Sequence, residues 1–331
     1  MKRDNEISNI VIAGGGVMGA SMAQIFAEHG KRVSVYDISE ESIRRGEELV
    51  ALSQRERVRD GTLTETASRE TAGRISFVLT PDVFENADYV VECIVENMDV
   101  KQAFWRKISA IAPENIVLAT NTSGLSISEI AKAVKAPARF AGMHWVNPPH
   151  LTPLVEVIAG EETAEETMDV VYGLALSVGR KPVRVKKDAR GFVLNRLQFA
   201  LLREAMHIVE SGIAGTEDVD KVMKYGLGLR YACVGPFETA DLGGLDTFYR
   251  IAEYLFPDLS DSKEVPALLA RHYRAGEYGT KTGRGFYDYP GDAAEQAVSR
   301  RDRRLADAAG CLIGERETEV TPPGQIRSGT P

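Results

Sequence analysis

The chain carries five histidines, at positions 29, 144, 150, 207 and 272, and one of them stands where chemistry is possible. His144 ends an apolar run, Phe140-Ala-Gly-Met-His144, while Glu156 sits inside a second, Leu154-Val-Glu-Val-Ile158. A carboxylate among β-branched residues is costly unless it has a partner. A His–Glu pair answers both oddities, because the carboxylate fixes the imidazole tautomer and supports a positive charge on the ring. Spacing alone leaves two unrelated buried polar residues open as the alternative. His29 and His207 fall within helical patterns as surface or packing residues, and His272 lies in a charged helix that should be solvated.

A second constellation is Gly14-Gly15-Gly16-Val17-Met18-Gly19, which contains G-x-G-x-x-G at Gly14, Gly16 and Gly19. An ordinary glycine-rich turn would look the same in isolation. Here the motif follows a predicted strand and opens a predicted helix, the context that gives it meaning. Gly14 allows the tight turn, Gly16 lets the backbone approach a pyrophosphate, and Gly19 permits close packing of helix on strand. The N-terminus of the following helix brings free N–H groups and its positive dipole end to that pyrophosphate, and Val17 and Met18 of the loop are expected to line the same site. Asp37 closes the next strand about 20 residues on, where a carboxylate binds adenine-ribose hydroxyls and repels a 2′-phosphate. Ile38-Ser39 offers no arginine to receive such a phosphate, so the expected cofactor is NAD. No His/Cys/Asp cluster has ligand spacing, and no metal is expected.

These residues need a scaffold of alternating elements. Strands are predicted at Ile10–Ala13, Val33–Tyr36, Ile75–Val78, Tyr89–Ile94, Ile116–Thr120 and Phe140–His144. Helical stretches lie between them, including Ser21–His29 and a pair over Ser39–Ala72 broken near Asp60-Gly61. Capping boxes at Ser126/Glu129 and Thr163/Glu166 mark further helix starts. This is the pattern of an α/β chain with a Rossmann-type doubly wound sheet. After Lys187 the texture becomes helix upon helix, predicting a C-terminal all-helical domain over residues 188–315 behind a nucleotide-binding domain over residues 1–187. Phe192–Ser211 reads as one long helix too apolar for a surface, hence buried between domains or subunits. Residues 316–331 are expected to be disordered.

With 331 residues, 44% hydrophobic and 27% charged, the chain has enough apolar content for a sizeable core in two domains. A net charge of −8 argues against nucleic acid or an anionic membrane as partner. No apolar run approaches the ~18 residues of a spanning helix. Three distant cysteines and an early acidic N-terminus fit a reducing cytoplasm without a signal peptide.

Taken in order, several motifs resemble the L-3-hydroxyacyl-CoA dehydrogenase family. They are Gly14–Gly19, Val91-Glu-Cys-Ile-Val-Glu96, Asn121-Thr-Ser-Gly-Leu-Ser-Ile127, Gly142-Met-His-Trp-Val-Asn147-Pro148, Leu154–Ile158 and Gly191-Phe-Val-Leu-Asn195-Arg196. Gly235-Pro-Phe-Glu, Asp241-Leu-Gly-Gly-Leu-Asp246 and Lys281-Thr-Gly-Arg-Gly-Phe-Tyr287 extend the resemblance to roughly residues 8–290. The resemblance implies an NAD-dependent oxidation of a 3-hydroxyacyl-CoA in fatty acid metabolism, and a homodimer. It implies His144 as the base, Glu156 as its partner, and Ser123 and Asn195 as groups holding the reacting oxygen. It places Glu96 and Lys101 near the nicotinamide-side ribose and Asn147 near the nicotinamide. Without it, Ser123 would read as a turn or cap, Asn195 as a buried helix residue, and Glu96 with Lys101 as a solvated pair.

Two stretches depart from the acyl-CoA pattern. Pro149-His150-Leu-Thr-Pro153 and Gly228-Leu-Arg230-Tyr-Ala-Cys-Val-Gly235 look more like the branch acting on small free acids, such as gulonate, carnitine or pyridine-carboxylate dehydrogenases. Arg230 could meet a carboxylate bidentately, or form a surface ion pair. Arg55-Glu-Arg57-Val-Arg59, by contrast, falls where acyl-CoA members place basic groups for the CoA phosphates. The family's lens-crystallin relative also leaves open a non-enzymatic role.

Overall fold

The computed structural model describes residues 1–314, so the predicted disordered tail lies outside the described residues. The chain divides into two compact units, one ending at Arg196 and the other starting at Leu197.

The first unit is built on one eight-stranded sheet. Its strands are β1 Asn9–Ala13, β2 Arg32–Tyr36, β3 Ile75–Val78, β4 Tyr89–Glu92, β5 Val117–Thr120, β6 Phe140–Trp145, β7 Leu154–Ile158 and β8 Lys181–Val185. They lie in the order β3-β2-β1-β4-β5-β6-β7-β8. All neighbours are parallel except β6 and β7, which form an antiparallel pair. The chain leaves β1 toward one edge and returns to β4 on its other side, which creates a topological switch point above β1. Lys181–Val185 escapes the sequence reading because Pro182 and alternating charges hide a strand that lies at the sheet edge, where proline is tolerated.

Successive side chains of a strand point to opposite faces, and the core follows that period. Ile10 and Ile12 of β1 join one apolar layer with Met22, Ala23 and Phe26 of α1 (Val17–Glu28). Val11 and Ala13 join the other. After α2 (Glu40–Arg59) and α3 (Glu65–Gly73), that second layer is covered by Trp105 and Ile108 of α4 (Met98–Ile111) and by Ile127 and Ile130 of α5 (Ile127–Ala131). Met168, Val171 and Leu174 of α6 (Glu165–Ser177) close the first. On the second face, each strand that carries a polar core residue does so where an apolar one would otherwise sit: Glu92, Thr120, His144 and Glu156.

Several expectations are corrected. Helix α1 begins at Val17, immediately after Gly16, rather than at Ser21, so the glycine loop runs straight into its first turn. Ser126 caps α5 as expected, accepting from the Glu129 N–H at 3.1 Å. Thr163 is not a cap: Ala164 holds that position, and the Thr163 hydroxyl instead donates to the Phe140 carbonyl at 2.6 Å. Helix α7 (Leu194–Glu210) starts two residues after Phe192, and within this chain only its Met206 is buried while Leu197 and Phe199 are exposed. The second unit continues with α8 (Thr216–Val222), α9 (Gly228–Cys233), α10 (Pro236–Gly243), α11 (Leu245–Leu255), α12 (Ala267–Arg274) and α13 (Ala293–Gly314). His272 on α12 is not solvated; its Nδ1 lies 2.7 Å from Glu277 and its ring packs edge-on against Phe286.

Gly19 is the tightest contact beneath the cofactor loop. A Cβ there would lie 1.9 Å from the Gly14 carbonyl oxygen, a backbone atom that cannot swing aside. Gly19→Ala should therefore cost about 1–3 kcal/mol through overpacking and weaken NADH binding at least tenfold. Fluorescence titration with NADH checks this; unchanged affinity would refute the role of the close approach.

Candidate active site

The cofactor loop has the geometry its sequence implies. Gly14 adopts φ +116°, a conformation in which a side chain would also strike Cys93. A Cβ on Gly16 would meet nothing within 4 Å, so the loop leaves open space in front of the α1 N-terminus, which no side chain caps. That is the cradle a pyrophosphate needs. Asp37 accepts from the Gly15 N–H at 2.8 Å and from the Ser39 N–H at 3.0 Å, fixing the loop against the end of β2. Below it, the Cys93 thiol donates to the Ala13 and Gly14 carbonyls; burial, with Glu92 adjacent, pushes this thiol's pKa far up.

His144 and Glu156 face each other directly across the antiparallel β6–β7 pair, and the connecting residues 146–153 set that register. His144 Nδ1 lies 2.8 Å from Glu156 Oε2, and both side chains are almost fully buried. The other carboxylate oxygen accepts two further bonds, from the N–H groups of Val193 and Leu194, each at 2.9 Å. Burial alone would raise the Glu156 pKa, but the His144 bond and the two backbone donors outweigh it and leave the carboxyl below its usual range. Because Leu194 is the first residue of α7, the same carboxylate that holds the imidazole also anchors the helix bearing Asn195.

Ser123 is gripped from both sides. Its N–H donates to Glu96 Oε1 at 2.9 Å, and its carbonyl accepts from Asn195 Nδ2 at 2.7 Å. The Thr122 hydroxyl donates to the same Glu96 oxygen at 2.5 Å, and Asn121 Oδ1 accepts from the Trp145 N–H at 2.7 Å, tying this loop to the strand of His144. Ser123 and Asn195 form one hydrogen-bonded pair and His144 and Glu156 another, and the two are tied through the neighbouring residues Leu194 and Trp145.

Glu96 and Lys101 are no solvated pair. Lys101 is buried, with its ammonium 2.7 and 3.1 Å from the two oxygens of Glu92 and 3.4 Å from Glu96. Glu92, fully buried, also accepts from the Thr120 hydroxyl. Glu92 carries the same sequence signal as Glu156, a carboxylate in an apolar strand, in Tyr89-Val-Val-Glu92. Asn147 is exposed just beyond β6. Arg57 is turned onto Glu28 of α1 in a two-pronged ion pair, whereas Arg55, Arg59, Ser68 and Arg69 border a cleft of about 480 Å³ between α2 and α3. Arg230 is exposed on α9, in the second unit.

Known proteins share this chain's sequence pattern and fold. The NAD-binding domain profile of 3-hydroxyacyl-CoA dehydrogenase matches residues 9–189, and that family's C-terminal domain profile matches residues 191–289. The chain belongs to the 3-hydroxyacyl-CoA dehydrogenase family, an NAD-dependent class of dehydrogenases acting on CH–OH groups. It is 41% identical over 285 residues to a probable 3-hydroxybutyryl-CoA dehydrogenase of Bacillus subtilis, covering 86% of this chain and 98% of that one. It is 35% identical over 309 residues to the 5-formyl-3-hydroxy-2-methylpyridine 4-carboxylate 5-dehydrogenase of Mesorhizobium japonicum, covering 93% and 99% respectively. A crystal structure of a 5-dehydrogenase for that same pyridine carboxylic acid superposes with a TM-score of 0.86 at 35% identity, over 93% of this chain and 99% of the other.

The Glu156 carboxylate has a thermodynamic signature. Its depressed pKa contributes stability that is fully present above the unfolded-state value of about 4.3 and is lost as pH falls through the folded value. Glu156→Gln should lower stability at neutral pH by about 1–3 kcal/mol. The variant should also flatten the acid limb of the stability–pH curve, as read by urea denaturation at neutral and acidic pH. An unchanged acid limb would contradict the depressed pKa.

Proposed function

We propose that the protein interconverts a (3S)-3-hydroxyacyl-CoA and its 3-oxo form. The observation that carries this reading is the buried His144–Glu156 pair, set beside the Ser123 loop and Asn195. With Nδ1–H donated to Glu156, the lone pair on His144 Nε2 takes the substrate hydroxyl proton, and Glu156 offsets the charge that then appears on the ring. Ser123 and Asn195 hold the reacting oxygen, as donors positioned where alkoxide character grows. Bound NAD supplies the hydride acceptor. Gly14, Gly16, Val17, Met18, Gly19 and Asp37 hold its adenosine and pyrophosphate part, and Glu96, Lys101, Ser123 and Asn147 its nicotinamide side. In this reading residues 1–187 bind the nucleotide, and residues 188–315 serve the substrate and dimerisation. The cleft bordered by Arg55, Arg59 and Arg69, whose one lining carboxylate, Glu65, pairs with Arg69, offers a net positive rim to CoA phosphates, with Arg57 fixed onto Glu28.

A second reading has its own support. The match to the pyridine-carboxylate enzyme extends over 309 residues and nearly all of that protein, beyond the 285 residues shared with the Bacillus protein. On this reading the substrate is a small free hydroxy acid and Arg230 meets its carboxylate. NADH oxidation with acetoacetyl-CoA, set against a panel of free oxo acids, separates the two. His144→Gln should lower turnover at least 100-fold in either case, with NADH affinity retained. Near-normal turnover would remove His144 as the base. Under the CoA reading, neutralising Arg55, Arg59 and Arg69 raises KM and Arg230→Lys changes little; under the acid reading Arg230→Lys loses most of kcat/KM.

The working form we propose is a cytoplasmic homodimer with no nucleic-acid or membrane partner. None of the helices among the described residues is long and apolar enough to cross a membrane. Exposed Leu197 and Phe199 of α7, with Phe237, Leu242 and Phe256, give the second unit large apolar side chains that a partner subunit would cover. Light scattering at micromolar concentration should return twice the chain mass; a clean monomer would reject the dimer.

A further inference from the structure

We propose that Phe192 is a positioning residue for the His144–Glu156 pair: its left-handed backbone aims two N–H groups at the carboxylate, and its ring seals the imidazole. The proposal rests on the reading of His144 as the base.

Among the described residues only two non-glycines have positive φ, Ala136 and Phe192. Ala136 is an exposed loop residue ahead of a proline. Phe192, at φ 51°, is an aromatic residue only 1% exposed, the kind that pays most for this conformation. Such strain persists only where the surroundings over-determine it, and it gathers at functional sites. Here the surroundings are identifiable. Gly191, at φ 77°, starts the turn, and the Phe192 N–H donates to the Ala189 carbonyl at 2.9 Å. The ring is drawn into the apolar layer that contains Ile127, Ile158 and Val185.

The turn has two consequences at the site. The next two N–H groups, of Val193 and Leu194, converge on one Glu156 oxygen. An extended residue at 192 would send the chain elsewhere and leave a buried carboxylate with one donor fewer, or two. The ring itself lies 5.7 Å from the His144 imidazole, centroid to centroid, tilted by 57°. With both rings buried, it packs against the imidazole and keeps water from competing for the Nδ1–H bond.

The two consequences can be separated, because glycine adopts φ near +51° without cost and Phe192→Gly removes only the ring. The readout is the His144 Nδ1 proton, observed far downfield in the proton spectrum and assigned by its disappearance in His144→Gln. In Phe192→Gly this resonance should vanish into exchange with water, while the Val193 and Leu194 amides stay protected and report an intact turn. Turnover should fall by about 100-fold, the penalty of a loosened catalytic group, with KM for NADH unchanged. Phe192→Leu, which refills the space, should recover both resonance and turnover. A resonance retained in Phe192→Gly, or lost in Phe192→Leu, overturns the proposal. If the resonance vanishes and turnover does not change, the sealing stands and the assignment of His144 as base falls.

Discussion

One carboxylate organises the active site. Glu156 lies in the interior of a β-sheet, where an ionised group is costly, and it is tolerated because three donors surround it: the imidazole of His144 and the N–H groups of Val193 and Leu194. One donor is the imidazole of β6, and the other two lie at the start of the helix that carries Asn195, Leu194 being its first residue. Asn195 in turn holds the Ser123 carbonyl, so the placement of the Ser123 loop depends on the same buried charge. Removing one partner would leave the others with unmet hydrogen-bonding capacity, which is why the arrangement has little freedom to drift.

A second buried carboxylate does comparable work one strand group away. Glu92, at the end of β4, holds Lys101 and Thr120, and Lys101 reaches toward Glu96. Glu96 then grips Thr122 and Ser123. A buried ion pair of this kind adds little net stability, since desolvation offsets most of the attraction. Its effect is geometric: it fixes the polar loop after β5 between the glycine loop after β1 and the His144 strand. Both carboxylates lie on the sheet face covered by α4 and α5, where the alternation of side chains admits polar residues only near strand ends or against strong partners.

The order β3-β2-β1-β4-β5 explains why the cofactor loop and this polar network share one side of the sheet. Parallel strands deliver all their carboxyl ends to the same edge, and the switch point above β1 leaves a crevice there. The antiparallel β6–β7 pair breaks the parallel rule, and the break is functional. Only an antiparallel neighbour brings a residue twelve positions downstream directly opposite His144.

The sequence by itself determined the parallel scaffold, the glycine loop and the residue types of the active site. Those signals are local: strand alternation, a glycine spacing, a carboxylate in an apolar run, each legible within a few residues. It also determined the family, through motifs whose order is a property of the chain. Tertiary structure alone decided the rest. The edge strand β8 carries too much charge and a proline, so its pairing is visible only once β7 is in place. Glu92 and Phe192 gained their roles from partners brought near by packing, Lys101 and Thr120 for one and the imidazole for the other. Arg57 lies in the sequence among basic groups placed for CoA phosphates, beside Arg55 and Arg59, yet the path of α2 across α1 gives it to Glu28. A side chain's type is written in the sequence, but its hydrogen-bond partner is set by distances in space that the chain settles only on folding.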